Sequence, residues 1–188
     1  MQYVAWDTET SGLPKIRNGS VTRENLHKFD TCRMASIAAV KFSSKGRELG
    51  SFYAVVKPDG YLVGGEDGGA FRVHGITQEH ALEHGRPLPE VLDDFFDFIG
   101  DQTNTMVAHN TKFDENVLLS EMYRHNLDLS RFKRLDFQCT LKMYKDRFLK
   151  PIKLTKLYME LFNKRIFMSK KRKLERERQN EKRFIFFM

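Results

Sequence analysis

The stretch WDTETSG, residues 6–12, decides how the rest of the chain is interpreted, because it places two acids where a strand is expected. The preceding residues, QYVAW, are typical of a short strand, whereas aspartate is among the poorest strand formers. Asp7 and Glu9 are two residues apart, so in an extended strand their side chains leave the same face. At about 3.3 Å per residue their α-carbons are roughly 6 to 7 Å apart, a spacing at which two carboxylates can bind one divalent cation or bridge two. For the D-x-E pair alone, a solvated strand end is the simpler explanation.

A second stretch, MVAHNTKFDEN at residues 106–116, repeats the arrangement of an apolar strand followed at once by polar residues. Asp114 falls at the start of the next predicted helix, where an acid also serves to cap or complement the helix end. His109 and Asn110 are likewise explained as turn residues. The combination of the two stretches favours a site, because each places acids just beyond a strand, where α/β folds gather their active sites.

The remaining sequence predicts hairpin strands followed by strands that alternate with helices. CRMASIAAVKFSSKG and ELGSFYAVVKPDG read as an antiparallel hairpin, and NTMVAHN and RLDFQCT as two further strands. Helices are predicted for TQEHALEHG, with Thr77 as N-cap and Gly85 as its stop, for PLPEVLDDFFDFIG, which Gly100 ends, and for FDENVLLSEMYRHNL and LTKLYMELF. This order is typical of an α/β fold in which helices flank a mixed sheet.

The composition is that of a globular protein with an excess of positive charge. The 188 residues include 32 Lys and Arg against 25 Asp and Glu, a net charge of +7 that lies mostly in the last quarter. A basic balance favours nucleic acid as partner. Cys32 and Cys139 have neither metal-type spacing nor a disulfide framework. We expect a cytoplasmic or nuclear protein that is neither secreted nor membrane-bound, since no signal peptide or 20-residue apolar stretch is evident.

With these motifs in place, the chain closely resembles the DEDD exonucleases, and among them the proofreading-subunit and ribonuclease T branch. WDTETSGL, VHGIT and VAHNTKFDENVLLSE are similar to that family's first, intermediate and second motifs, and the resemblance covers about residues 2–162. It implies a ribonuclease-H-like domain that removes nucleotides from single-stranded 3′ ends with two Mg²⁺ or Mn²⁺ ions. It assigns catalysis and metal binding to Asp7, Glu9 and Asp114, and places near the terminal nucleotide Thr8, Thr10, Gly12, His74 and Asn110.

The family's third motif, a His five positions before an Asp on a helix, has no counterpart in this chain. The last histidine is His125 and the last aspartate is Asp146. In the family the His takes the proton from the attacking water and the Asp completes a metal site, so one of the two ion sites is expected to be incomplete here. Three glutamates remain as stand-ins for the missing acid, although none supplies the base: Glu175, Glu177 and Glu181.

After Phe162 the sequence changes abruptly to a stretch rich in Lys, Arg and Glu. We therefore predict an exonuclease-like domain at residues 1–163 and a basic, charge-rich tail at residues 164–188. Three interpretations of the tail remain open: a non-homologous end from truncation or a shifted reading frame, a genuine basic extension for nucleic acid or nuclear import, or a solvated charged helix. The tail is expected to project from the domain and to leave an apolar patch uncovered near QYVAW.

The sequence thus favours a 3′–5′ exonuclease acting on DNA or RNA, impaired by the loss of its last motif. The main alternative is a catalytically silent nucleic-acid-binding domain of the same fold, and an interaction module without a nucleic-acid role is the third. The choice between DNA and RNA stays open, as do protein partners and the oligomeric state.

Overall fold

A computed structural model describes residues 2–16, 19–65, 67–103, 105–145, 148 and 151–163. The predicted boundary after residue 163, the predicted tail at 164–188 and its three candidate glutamates lie outside the described residues. No helix in the described part of the chain is long and apolar enough to cross a membrane.

Five strands form one mixed sheet in the order β3-β2-β1-β4-β5. The first three strands are antiparallel neighbours, whereas β4 and β5 run parallel to β1. The carboxyl ends of β1, β4 and β5 therefore meet at one edge of the sheet. The strand bounds are Gln2–Thr10 for β1, Met34–Ser43 for β2, Glu48–Val55 for β3, Thr105–Ala108 for β4 and Asp136–Cys139 for β5.

The predicted helices are confirmed, and short ones that were not predicted are added. Thr77 caps α2 by accepting a hydrogen bond from the His80 N–H (3.0 Å), and Gly85 and Gly100 end α2 and α3 as expected. A 3₁₀ helix, Leu26–Phe29, lies within the polar segment after β1. The helix bounds are Gly69–His74 (α1), Gln78–His84 (α2), Leu88–Ile99 (α3), Thr111–Arg124 (α4), Ser130–Lys133 (α5), Thr140–Met143 (α6) and Leu154–Phe162 (α7).

The core lies between one face of the sheet and the helices α3 and α4. Alternate residues of β1 point into it, so that Trp6 packs against Phe95 of α3 with 6.0 Å between ring centroids. The apolar stripe of α3 that the sequence predicted is buried: Val91, Leu92, Phe95, Phe96 and Ile99. Burying one large apolar side chain stabilises the fold by about 1.5–3 kcal/mol, so this face is the main source of stability.

A buried ion pair fixes α4 on the sheet. The Glu121 carboxylate is 1% exposed and accepts hydrogen bonds from Arg33 Nε (2.8 Å) and Nη2 (3.2 Å) and from the Met34 N–H (3.0 Å). The Arg33 guanidinium also stacks 4.5 Å from the centre of the Tyr61 ring. Because Glu121 lies about two helical turns after Asp114, this anchor also holds the first turn of α4 in place.

The prediction that the acids of the first motif lie just beyond a strand is wrong. β1 continues to Thr10, so Asp7 and Glu9 are inside it, where they pair with Ala38 and Ser36 of β2. The propensity of aspartate is overridden because β2 is long enough to pair with the whole of β1. Asp7 and Glu9 leave the same face of β1, as predicted, and they alternate with Trp6 and Thr8, which are buried.

Candidate active site

The candidate site lies at the carboxyl edge of the sheet, where β1 extends further than its neighbour β4. Parallel pairing between them is limited to Tyr3, Val4 and Ala5 opposite residues 105–107. Beyond that point the chain leaves β4, turns at Asn110 and begins α4 at Thr111. The start of α4 therefore occupies the space beside β1 that a longer β4 would fill.

Asp114 joins the second motif to the first through two hydrogen bonds. Its Oδ1 accepts from the Thr8 N–H (3.0 Å) and from the Thr8 hydroxyl (2.7 Å), and the residue is only 2% exposed. A buried N–H needs a hydrogen-bond acceptor, and the Asp114 carboxylate supplies one to Thr8 beyond the part of β1 that pairs with β4. Because Asp114 Oδ1 bonds to strand β1, Asp114 is more than a local helix cap.

The Asp7 carboxylate lies in a region crowded with negative charge. Burial raises its pKa most, and repulsion first from Asp114 and then from Glu9 raises it further. More than a third of the surface of Asp7 remains accessible, so the residue lies at an open rim. We attribute the pKa shift to protein atoms that surround the carboxylate on its inner side. Both charged groups that raise the pKa of Asp7 are acids, since a nearby like charge disfavours the ionised form.

The pKa of Asp114 is also raised, and burial is again the main cause. The two hydrogen bonds from Thr8 oppose the rise, because they stabilise the charged form, and repulsion by Glu9 adds to it. The acids of the two motifs therefore lie close enough to interact electrostatically. In the sequence, Thr8 and its partner Asp114 are 106 residues apart.

The three carboxylates do not converge closely enough to form a ready ligand set. Among the residues that the structure describes, no three His, Cys, Asp or Glu side chains are close enough together to hold a metal ion as they stand. The bonds to Thr8 fix Asp114 Oδ1 against β1, and like charges keep the acids apart. The donor chemistry nevertheless fits Mg²⁺ or Mn²⁺, since hard oxygen ligands and uncompensated negative charge are what these ions require.

Most of the residues assigned to the terminal nucleotide have their polar groups engaged within the protein. Thr8 is bonded to Asp114, and the Thr10 hydroxyl donates to the Gly12 carbonyl (2.8 Å). A β-carbon at Gly12 would lie 2.7 Å from the Thr31 carbonyl oxygen, so the glycine has a packing reason of its own. Asn110 is exposed and adopts the left-handed conformation (φ 69°), which asparagine tolerates better than most residues.

His74 is buried and both of its ring nitrogens are bonded. The Ile76 N–H donates to Nδ1 (2.9 Å), so Nε2 carries the hydrogen and donates to the Val63 carbonyl (3.2 Å). This neutral tautomer holds the 61–65 loop, and at Gly65 that loop lies against the Ser11 carbonyl at the end of the first motif. His74 thus has a structural role in holding this loop, while its contact with a nucleotide stays a prediction.

Sequence reasoning treated His109 as a turn residue and missed its contacts. Its Nδ1 lies 2.9 Å from the Thr140 hydroxyl and its Nε2 donates to the Ile152 carbonyl (2.8 Å). The ring therefore connects the carboxyl end of β4 to two points on the segment after β5. The only sequence signal at His109 is its position directly after a strand. That signal does not distinguish a turn residue from one whose side chain joins two segments.

The exonuclease family model named for ribonuclease T matches residues 4–166 of this chain. The chain is 31% identical over 135 residues to the PolC-type DNA polymerase III of Mycoplasmopsis pulmonis, a match that covers 72% of this chain and 8% of the polymerase. It is also 31% identical over 127 residues to the corresponding polymerase of Streptococcus pneumoniae, covering 66% and 7%. The chain thus spans less than a tenth of the length of these relatives.

Solved structures of Exonuclease I share the fold. The Escherichia coli enzyme in complex with a dT13 oligonucleotide superposes with a TM-score of 0.60 at 21% identity, over 77% of this chain and 29% of that one. A product-bound exonuclease I gives a TM-score of 0.61 at 23% identity, over 80% and 32%. The ribonuclease-H-like mixed sheet with flanking helices that the sequence predicted is confirmed. On the match of its family model and the identity to the polymerase segments, this chain belongs to the DEDD 3′–5′ exonuclease family.

Proposed function

We propose that this chain is a 3′–5′ exonuclease domain that hydrolyses the terminal phosphodiester of single-stranded DNA or RNA with Mg²⁺ or Mn²⁺, at a rate reduced by the absence of the family's last motif. The observation that carries the proposal is the negatively charged rim, where burial together with repulsion between acids raises the pKa of Asp7 and of Asp114, and where Asp114 is bonded to the strand that bears Asp7. A folded protein keeps such mutual repulsion only where something else offsets it, and a site for a cationic ligand does so.

Each of the three acids has a distinct setting in which to act. Asp7, at the open rim, would be a ligand of both ions, and Glu9, two residues further along the same strand, would bind the ion that activates water. Asp114 is held in orientation by Thr8 and so acts from a fixed place. When bound by these acids, Mg²⁺ or Mn²⁺ would lower the pKa of water and neutralise charge on the phosphate oxygens. The nucleotide contacts assigned to Thr10, Gly12, His74 and Asn110 belong to the same proposal.

The reduced rate follows from the sequence after Asp146, which contains no aspartate and no histidine. Without a general base, a loss of about 10²–10⁴ in rate is expected. An incomplete acid set for one of two ions lowers the rate further. The acids nearest in sequence to the expected motif, Glu175, Glu177 and Glu181, are assigned no role here.

A catalytically silent nucleic-acid-binding domain is the second candidate, and the same absence of a late His and Asp favours it. In this case the rim still attracts cations, and the strand binds without being cut. For either function a single-stranded partner is supported by the described complex of Exonuclease I with dT13, a protein that shares the fold. The cytoplasmic or nuclear location remains a prediction from the sequence.

The test is cleavage of an oligonucleotide labelled at its 5′ end, by the purified chain with Mn²⁺ or Mg²⁺. A ladder that shortens from the 3′ end, and that is lost both on chelation and in Asp7→Ala, supports the exonuclease. Glu48→Gln is the matched control, because Glu48 is an exposed acid at the start of β3. A ladder that persists in Asp7→Ala would refute the assignment of the site, and binding without a ladder would favour the silent domain.

A further inference from the structure

Positive charge within the domain is concentrated in the segment after β5. Residues 140–163 contain six Lys and Arg against two Asp and Glu, whereas residues 1–139 contain 16 against 20. The first part of the domain is therefore acidic, and the segment of residues 140–163 is basic. The proposed exonuclease function accounts for the acids at the rim but leaves this reversal of charge unexplained.

His109 fastens the basic segment beside the candidate site. Because Thr140 and Ile152 bond to opposite sides of one imidazole, the two ends of the 140–152 stretch are brought together at the carboxyl end of β4. Lys142 lies two residues after Thr140, and Lys153 follows Ile152 directly. With strands about 4.8 Å apart, the start of the segment at the end of β5 is about 10 Å from β1.

The lysines of this segment are directed to solvent. Lys142, Lys145, Lys153 and Lys156 are all exposed. Within the part of the chain that the structure describes, none of the four forms a salt bridge, in contrast to Arg86, which pairs with Asp94. Exposed ammonium groups without internal partners keep their full attraction for an external anion.

We propose that the exposed lysines of the segment fastened by His109 bind the phosphate backbone of the nucleic acid strand that enters the candidate site; these lysines are Lys142, Lys145, Lys153 and Lys156. The inference rests on the proposed function, since it requires a polynucleotide at the rim. Several single positive charges spaced along a segment suit a polyanion with regularly spaced charges. The acidic rim repels the same backbone, so a neighbouring basic surface also explains how the strand is retained next to Asp7.

The expected effect follows from counterion release. Each lysine that neutralises one phosphate of a single strand contributes about −0.7 to the slope of log K against log salt. Replacing Lys142 and Lys153 together should make the slope less steep by roughly 1.4. Relative to 1 M salt, this corresponds to a loss of about 25-fold in affinity at 0.1 M.

The experiment measures binding of a fluorescent oligothymidylate of about 16 nucleotides by anisotropy at several salt concentrations, in EDTA so that nothing is cleaved. It compares the full chain, K142Q/K153Q, and the matched control K45Q/R47Q. Lys45 and Arg47 are exposed residues at the β2–β3 turn, on the opposite edge of the sheet. Thermal melting of all three proteins verifies that these exposed substitutions leave the fold intact, and polyglutamate serves as a second polyanion.

The proposal predicts that only K142Q/K153Q loses affinity and salt dependence for the oligonucleotide. Equal losses in both variants, or no loss in either, would overturn the surface while leaving the exonuclease proposal standing if the parent chain still cleaves. Polyglutamate binding that matches the oligonucleotide, and that also depends on Lys142 and Lys153, would instead assign the surface to an acidic protein. A parent chain that neither binds nor cleaves the strand would overturn both proposals.

Discussion

Replacing Asp7 by asparagine should make the folded protein more stable at neutral pH while removing its activity. Burial disfavours the charge of Asp7 most, and repulsion first from Asp114 and then from Glu9 disfavours it further. Asparagine has nearly the same shape and carries no charge. Asp7→Asn therefore removes both the buried charge and the repulsion with little change in packing.

The sign of the pH dependence follows from the direction of the pKa shift. The pKa of Asp7 is raised in the folded state, so between the unfolded and the folded pKa the folded protein binds more protons than the unfolded chain. The stability that this proton contributes is complete below the unfolded pKa, near 4, and is lost as the pH rises through the folded pKa. The advantage of Asp7→Asn over the parent should accordingly be near zero at about pH 4 and largest at about pH 8.

The size of the effect is limited by solvent. Two unit charges about 5 Å apart interact by roughly 3 kcal/mol at an effective dielectric constant near 20. Because more than a third of Asp7 is accessible to water, screening reduces this value, and we expect a gain of about 1 kcal/mol in the free energy of unfolding at about pH 8.

The measurement is urea unfolding of the parent and of Asp7→Asn in EDTA at the two pH values. Glu48→Gln is the control, because it removes an acid from an exposed position on the edge strand β3 and should leave the difference between the two pH values unchanged. If Asp7→Asn is no more stable than the parent at about pH 8, the carboxylates do not repel one another as described, and the main support for a cation site is lost.

Three further substitutions test how the site is held. Thr8→Val should lower the free energy of unfolding by about 1.5–3 kcal/mol and reduce cleavage, because it removes the hydroxyl bond to Asp114. Thr8→Ser keeps the hydroxyl and should retain both the stability and the cleavage. Equal values for the two variants in urea unfolding and ladder assays would contradict this role of the Thr8 hydroxyl. Glu121→Gln should lower the free energy of unfolding by about 2–3 kcal/mol, because it leaves Arg33 without its charged partner. If urea unfolding shows a smaller loss for Glu121→Gln than for Glu48→Gln, the Glu121–Arg33 pair does not anchor α4. Gly12→Ala should cost about 1–3 kcal/mol through contact with the Thr31 carbonyl, and an unchanged thermal midpoint would show that the loop yields instead.

Much of the fold was predictable because it rests on local patterns. The stripe of α3, the Thr77 cap and the β2–β3 hairpin each follow from spacings within about a dozen residues. That Asp7 and Asp114 come close together was predictable for the same reason, since each lies near the end of an apolar run, while their role in catalysis stays a prediction. The extent of β1 was not, because it depends on the length of its partner β2 and not on its own residues.

The contacts of His109 and His74 were out of reach of the sequence for another reason. A histidine after a strand, or before a glycine, has the same local pattern whether its ring meets a nucleotide or a carbonyl group. Three of the four partners in the structure are backbone groups that any residue type supplies: the Ile152 and Val63 carbonyls and the Ile76 N–H. The fourth is the Thr140 hydroxyl, which lies 31 residues away from His109 in the sequence. Local sequence therefore does not indicate these partners, and only the fold determines which group lies within reach.

The unequal lengths of β1 and β4 explain why the site forms where it does. β1 has nine residues and β4 four, so the outer half of β1 has backbone donors on the β4 side that no strand in the described part of the chain satisfies. A buried N–H without a partner costs about 1–3 kcal/mol, and the Asp114 carboxylate meets this need at Thr8. The bond that satisfies the Thr8 N–H also places Asp114 next to Asp7, which precedes Thr8 in β1. Extending β4 would satisfy Thr8 without Asp114, so the early end of β4 is as necessary to the site as the acids themselves.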